Sequence, residues 1–460
     1  MYKIKLLNFE KKYLLEEMIK IFLQPEEYEL VPDDAAEDEM TLVFNRENTE
    51  DKNVLKREIY DCLSEITGKK PEWGILTGIR PVKLCGEYYS SCRSAEETVK
   101  HLEDFYYINS EKAQQIMDMY LYQEEVMGRA PENSCSIYIG IPFCPTRCVY
   151  CSFASNQVPE SEISRYLEAL LKEIEFTGKR MKETGLVPET IYIGGGTPTT
   201  LTAEEMDILL SKTEECFDLS ALKEFTVEAG RPDTITKEKL LVIKKHGIER
   251  ISINPQSMKE RTLELIGRKH SADDIRRAFA DAKEAGFRDI NADIIAGLPE
   301  ENTEDFVKTL NEVIDLEPEN ITVHCLAVKK ASRLIDIDKN YHYKQADTVS
   351  EMLKKSREIL SEKGFVPYYL YRQKHMAGAY ENTGYCIKGT ECIYNMRIMD
   401  EHQTIIALGA GGISKMYYPL ENRLERVPNV TNYEEYIKRI DEMLMRKDMN
   451  IFKEVQLNVN

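Results

Sequence analysis

Between residues 134 and 330 the chain alternates short apolar runs with amphipathic stretches, and this alternation restricts the fold more than any other feature. The apolar runs are SIYIGI, ETIYIGGG, KEFTVEAG, ERISINPQ, RDINADIIAGLP and NITVHCLAV. Between them lie segments with apolar residues at helical spacing. SEISRYLEALLKEIEFTGKRMKETG stops at Gly185, and LTAEEMDILLSKTEECF is opened by Thr202. Strands joined through helices pair in parallel with right-handed crossovers, since a helix must pack back onto the sheet that feeds it. Six units predict an α/β fold, a partial TIM-like (β/α)6 barrel, with a closed eight-unit barrel as the alternative. Folds of this class place their chemistry at the carboxyl ends of the strands.

The loop after the first strand carries Cys144, Cys148 and Cys151 in IPFCPTRCVYCSF. A spacing of three residues and then two lets one tight loop present three thiolates while a fourth metal position stays open. Thiolates select zinc or iron–sulfur clusters. A closed zinc site needs a fourth Cys or His, yet the next cysteine is Cys216. Later strand ends add matching groups. Gly194, Gly195 and Gly196 follow the second strand, where missing side chains let backbone N–H groups approach a ligand. Glu228 closes the third strand and suits an ammonium or a ribose hydroxyl. Gln256 and Asp293 end apolar strands, so their polar side chains must face a cleft or find partners. Arg268 lies after the fourth strand and can grip a carboxylate with two donors.

At 460 residues the chain is long enough for two or three domains, here divided into 1–133, 134–330 and 331–460. A formal charge of -19 argues against a nucleic-acid binder working through phosphate neutralisation. Charges recur throughout MYKIKLLNFEKKYLLEEMIKIFL, so the start is not a signal peptide, and no segment has the apolar length of a membrane span. Eleven cysteines spread through a large chain fit a reducing compartment, and a soluble cytoplasmic protein is expected.

The cysteine loop resembles that of the radical S-adenosylmethionine (SAM) superfamily. Its CxxxCxxC motif holds a 4Fe-4S cluster whose open iron takes the amino and carboxylate groups of SAM, and cleavage of SAM yields a 5′-deoxyadenosyl radical. Read in order, YxxxPFC, CxxxCxYC, GGGTP, VExxxP, RxSxxxQS, GRxH and NxDxIxGLP resemble the oxygen-independent coproporphyrinogen III oxidase family, most closely its HemZ-type branch. The resemblance implies that Tyr138, Gly195 and Glu228 lie near one SAM. It implies that Tyr150, Gly196, Thr197, Gln256, Arg268, Asp293 and Ala327 surround the site of a second SAM known in the oxidase. Gly140 stands where the oxidase has a His, and Ser152 and Phe153 where it has a Gly and a Cys.

The implied activity is oxidative decarboxylation of coproporphyrinogen III propionates to vinyl groups, with a flavodoxin-like electron donor. The alternatives are a haem-binding chaperone and a radical SAM methyltransferase acting on haem. The tetrapyrrole is then expected near the tyrosine-rich stretch after residue 364, with Arg372, Lys374 and Lys388 available for its propionates. Cys386 and Cys392 have a spacing uncommon in metal sites, even with His375 and His402 in reach, and read as buried thiols. In residues 1–133, MYKIKLLNF and MTLVF read as strands, and NTEDKNVLKREIYDCLSEITG and SEKAQQIMDMYLYQEEVMG as helices.

Overall fold

The computed structural model describes residues 1–9, 12–45, 52–78, 80–329, 332–334, 341, 345–373 and 380–455. The N-terminal strands β1 (Tyr2–Leu7), β2 (Tyr28–Leu30) and β3 (Thr41–Asn45) form a parallel sheet in the order β2-β1-β3. Helices Lys12–Phe22 and Lys52–Thr67 bury Met18, Ile19, Leu55 and Ile59 against Ile4 and Leu6. The recurring charges of the first of these helices are the polar face of an amphipathic helix. Three further helices follow, Pro81–Cys92, Ala95–Tyr106 and Ser110–Met127, of which the sequence reading anticipated the last. Local signals mark the join of the other two: Pro81 opens one, left-handed Arg93 ends it, and the Ser94 side chain caps Glu97 N–H.

All six runs of the alternating region form strands: β4 (Ser134–Ile141), β5 (Val187–Gly195), β6 (Glu224–Gly230), β7 (Arg250–Ile253), β8 (Asp289–Ala296) and β9 (Asn320–Cys325). Each pairs in parallel with the next. Both helix signals hold, since Gly185 caps its helix at φ 74° and Thr202 forms a capping box with Glu205. The strands after residue 330 extend the same sheet on both sides. Antiparallel β11 (Glu381–Cys386) and then β10 (Val366–Arg372) join β9; β12 (Thr404–Leu408) joins β4 in parallel and leads to antiparallel β13 (Ile413–Tyr418) and β14 (Arg423–Pro428). The result is one open eleven-stranded sheet with β10 and β14 at its edges, rather than a closed eight-unit barrel.

The strands alternate sharply. Ile137, Ile139, Ile191, Ile193, Val227 and Ile251 are buried in one core with Leu167, Leu170, Leu209, Leu240 and Phe279 of the covering helices. Each such side chain contributes about 1.5–3 kcal/mol on burial. The residues between them, Tyr138, Tyr192, Glu228, Ser252, Asn291, Asp293, Thr322 and His324, lie on the opposite face. Barrel interiors filled for stability alone carry Val, Ile and Leu. This polar face is instead furnished as a site.

Helix Ile393–Asp400 supports that face near the strand starts. Arg397 grips Glu189 of β5 at 2.8 and 3.0 Å, Glu224 accepts from Ile393 N–H at 2.7 Å, and Tyr394 stacks on Tyr192. The N-terminal helices dock on β10 and β11: Trp73 Nε1 donates to Glu381 at 2.8 Å, and Lys112 pairs with the same carboxylate. Among the described residues no helix is long and apolar enough to cross a membrane. All eleven cysteines are free.

Candidate active site

The cysteine loop is held by the strand ends that follow it. Gly196 N–H donates to Ile141 O at 2.8 Å and Thr197 N–H to Phe143 O at 2.8 Å, tying the loop to the GGGTP turn. Val149 N–H donates to Ile266 O at 3.1 Å and Thr146 Oγ1 to Gly267 O at 3.1 Å, tying it to the segment before Arg268. Cys144 Sγ lies 3.4 Å from Thr197 Oγ1, and Arg231 Nη1 lies 3.7 Å from Cys148 Sγ. Burial pushes the Cys144 thiol up to about 11 and also raises Cys151. Neighbouring buried thiols of this kind ionise together only beside a cation.

Among the described residues no three His, Cys, Asp or Glu side chains converge as ligands of a single ion. Three thiolates that each bind a different iron of a cluster do not need to converge in that way. The residues therefore fit a 4Fe-4S cluster. The two downstream cysteines are engaged elsewhere: Cys392 Sγ contacts Glu224 at 3.2 Å and Cys386 Sγ contacts Glu391 at 3.7 Å. His402 pairs with Asp400 at 2.7 Å, while His375 lies outside the described residues.

The glycine triplet has a structural cause at each position. A Cβ on Gly196 would stand 2.4 Å from the Phe143 carbonyl oxygen, so only glycine lets the cysteine loop pass. At Gly194 it would stand 2.9 Å from the Glu228 carboxyl carbon. Gly195 has φ 113°, a region that side chains rarely adopt.

Glu228 is the electrostatic centre of the inner face. Tyr192 donates to its Oε1 at 2.6 Å, and the Tyr192 ring packs with Tyr394, at a centroid distance of 4.6 Å, and Tyr138, at 6.3 Å, in a three-ring cluster. Burial, with Asp293 nearby, pushes its carboxyl up to about 7 despite the Tyr192 hydrogen bond. Asp293 goes the other way. Burial opposes its ionisation, but His324, 3.6 Å away, and Asn291, donating at 2.8 Å, outweigh it and hold the carboxyl low.

Gln256 is buried with φ 68°, pinned between Asp293 O and Ile295 N–H, and its Oε1 has no partner. Arg268 Nη1 donates to Asn254 O at 2.5 Å, its Nε has no partner, and the side chain lies against Tyr150 and Cys148. Buried polar atoms left unpaired in a strained backbone signal a missing ligand. Ala327 is half-buried just beyond β9.

The structure therefore brings Cys144, Cys148, Cys151, Tyr150, Thr197, Gln256, Arg268 and the glycines to the strand ends, with Tyr138, Glu228 and Asp293 on the inner face beneath. Arg372 sits apart from them. It lies 4.8 Å from the Trp73 ring, donates to Leu76 O and faces the N-terminal helices, one residue out of phase with the inward Tyr371. Lys374 lies outside the described residues, and Lys388 is exposed on the far side, 5.8 Å from the Tyr122 ring.

The sequence reading passed over Tyr192, His324, Tyr371 and Arg231. The first two stand in the inward register of IYIGGG and NITVHC, two residues from Gly194 and Thr322, and that parity was the available signal. Tyr371 Oη reaches His324 Nδ1 at 3.4 Å from a strand that no alternation announced.

The model of the radical SAM superfamily matches residues 138–313. The oxygen-independent coproporphyrinogen-III oxidase-like protein HemZ of Bacillus subtilis is 41% identical over 396 residues, covering 85% of this chain and 79% of that protein. The heme chaperone HemW of the same organism is 31% identical over 279 residues, covering 60% and 69%. The solved coproporphyrinogen III oxidase HemN of Escherichia coli superposes with a TM-score of 0.54 at 22% identity, covering 70% of this chain and 72% of that one, a likeness of fold. The chain belongs to the radical SAM superfamily, among the oxygen-independent coproporphyrinogen-III oxidase-like proteins.

Proposed function

We propose that the protein is a radical SAM oxidoreductase that decarboxylates propionate side chains of coproporphyrinogen III to vinyl groups without molecular oxygen. The observation that carries the reading is the three-thiol loop set beside the unpaired Gln256 Oε1 and Arg268 Nε, on a chain 41% identical to a HemZ protein. Cys144, Cys148 and Cys151 would hold three irons of a 4Fe-4S cluster. Glu228 and the Gly195 backbone would accept from and cradle the amino group of one SAM; Gln256 and Arg268 would offer an acceptor and donors to the hydroxyl and carboxylate groups at the second SAM position that the resemblance implies. When bound, the cluster and SAM supply a carbon-centred radical that takes a hydrogen atom from the substrate.

The chain's own part is to orient and to exclude water. Tyr192 fixes the Glu228 carboxylate, and the tyrosine cluster with the half-buried inner face would limit solvent at the reacting centre. The side chain of the substrate loses one hydrogen atom, carbon dioxide and one further electron, the last to an external acceptor. The reducing electron for the cluster would come from a flavodoxin-like donor.

Anaerobically reconstituted protein with SAM, dithionite and coproporphyrinogen III should form 5′-deoxyadenosine together with the vinyl product. A second reading, a haem chaperone, is favoured by the 31% match to HemW. Stoichiometric haem binding with neither product formed would select it.

A further inference from the structure

Arg231 follows β6 and is 3% exposed beside the cysteine loop. Asp233 grips one edge of its guanidinium, with Nε to Oδ1 at 2.9 Å and Nη2 to Oδ2 at 2.8 Å. The remaining nitrogen, Nη1, turns to the cysteine loop, donating to Thr146 O at 3.1 Å and reaching Cys148 Sγ at 3.7 Å. His270 Nδ1 stands behind the pair, 3.9 Å from Asp233 Oδ1. Only a planar guanidinium can hold a carboxylate with two nitrogens and aim a third at both a carbonyl and a sulfur; a lysine ammonium has no such fork. Desolvating a charged guanidinium costs several kcal/mol, only partly offset by half-exposed Asp233, so its placement against a ligand sulfur calls for a role.

We propose that Arg231 is a positioning residue that raises the reduction potential of the cluster held by Cys144, Cys148 and Cys151, through an N–H···S hydrogen bond to Cys148. This rests on the cluster reading above. Reduction takes one electron from a low-potential donor, a flavodoxin-like protein or dithionite, and no bond forms or breaks. The added negative charge spreads over the cluster and its sulfurs. A donor and positive charge at one sulfur stabilise the reduced state more than the oxidised one. Asp233 keeps Nη1 aimed by occupying the other edge of the fork. Arg268 is also within hydrogen-bonding reach of Cys148 while its Nη1 donates to Asn254 O, so both arginines bear on the same sulfur and the two contributions are separated by varying each.

The test is a redox titration of the full-length reconstituted protein, followed by electron paramagnetic resonance (EPR), in wild type, Arg231→Met, Arg231→Gln and Arg231→Lys. The neutral variants should keep the wild-type iron and sulfide content and show a reduction equilibrium about tenfold less favourable, a midpoint lower by about 59 mV for one electron. Arg231→Lys should recover part of that shift. Neutral variants with a full cluster and an unchanged midpoint would overturn the proposal. Should they fail to hold the cluster, reduced wild-type protein carrying guanidino-nitrogen-15 arginine decides. A nitrogen hyperfine coupling that persists in Arg268→Lys supports the contact, and its absence refutes it. Wild-type protein that takes up no cluster refutes the cluster reading itself, a result distinct from an unchanged midpoint.

Discussion

Glu228 is where burial and function pull against each other. A carboxyl raised to about 7 is mostly protonated in the ligand-free protein under mildly acidic conditions, while the N–H and O–H donors of SAM need it ionised as their acceptor. SAM affinity should therefore rise about tenfold per pH unit below pH 7 and level off above it. Calorimetry in buffers of different ionisation enthalpy should detect the released proton, and Glu228→Gln should flatten the profile. The stability effect has the opposite slope. Because the folded state holds the proton more tightly, the contribution of Glu228 is fully present below about pH 4.5 and is lost as pH rises to 7, by about 3 kcal/mol at most. The melting temperature of ligand-free wild type relative to Glu228→Gln should fall across that window; a flat difference would mean that the carboxyl is not raised.

At the scale of elements, the GGGTP turn separates two functions that sequence alone merged into close approach to a ligand. Gly196→Ala sets a methyl against the Phe143 carbonyl, and overpacking of this kind costs about 1–3 kcal/mol. It should lower the iron content of the reconstituted protein. Gly194→Ala presses on Glu228 and leaves the loop untouched, so iron content should hold while SAM affinity falls. Iron analysis and equilibrium dialysis check both, and equal iron loss in the two variants would contradict the division.

The six strands were legible because each hides one face under helices and turns the other inward, so apolar and polar residues alternate. β10 and β11 were not, since an antiparallel pair without a crossing helix leaves no such rhythm in a run of Tyr and Gly. Arg372 was misplaced for the same reason. Without the strand's register, Tyr371 and Arg372 are indistinguishable, and one residue decides which face each takes. Tyr192 and His324 were hidden in plain alternation, because a polar residue inside an apolar run reads as ordinary strand until its neighbours across the sheet are known.

The whole molecule is one eleven-stranded sheet with an N-terminal unit docked on its β10–β11 edge. Glu381 joins the two, accepting from Trp73 and pairing with buried Lys112, with Glu72 3.7 Å from the same ammonium. Glu381→Ala leaves that ammonium short of its main partner and should cost about 3 kcal/mol in chemical denaturation. Trp73 is the sole tryptophan, so its emission should shift to the red as the edge loosens; unchanged emission would place the docking energy elsewhere.

Every role proposed above depends on Cys144, Cys148 and Cys151 holding a cluster that cleaves SAM. The direct measurement is 5′-deoxyadenosine released by anaerobically reconstituted protein with SAM and dithionite, beside the iron content, in wild type and Cys148→Ala. Wild type should release it, and Cys148→Ala should lack the full cluster and release none. A Cys148→Ala protein with a complete 4Fe-4S complement and wild-type cleavage would contradict the claim.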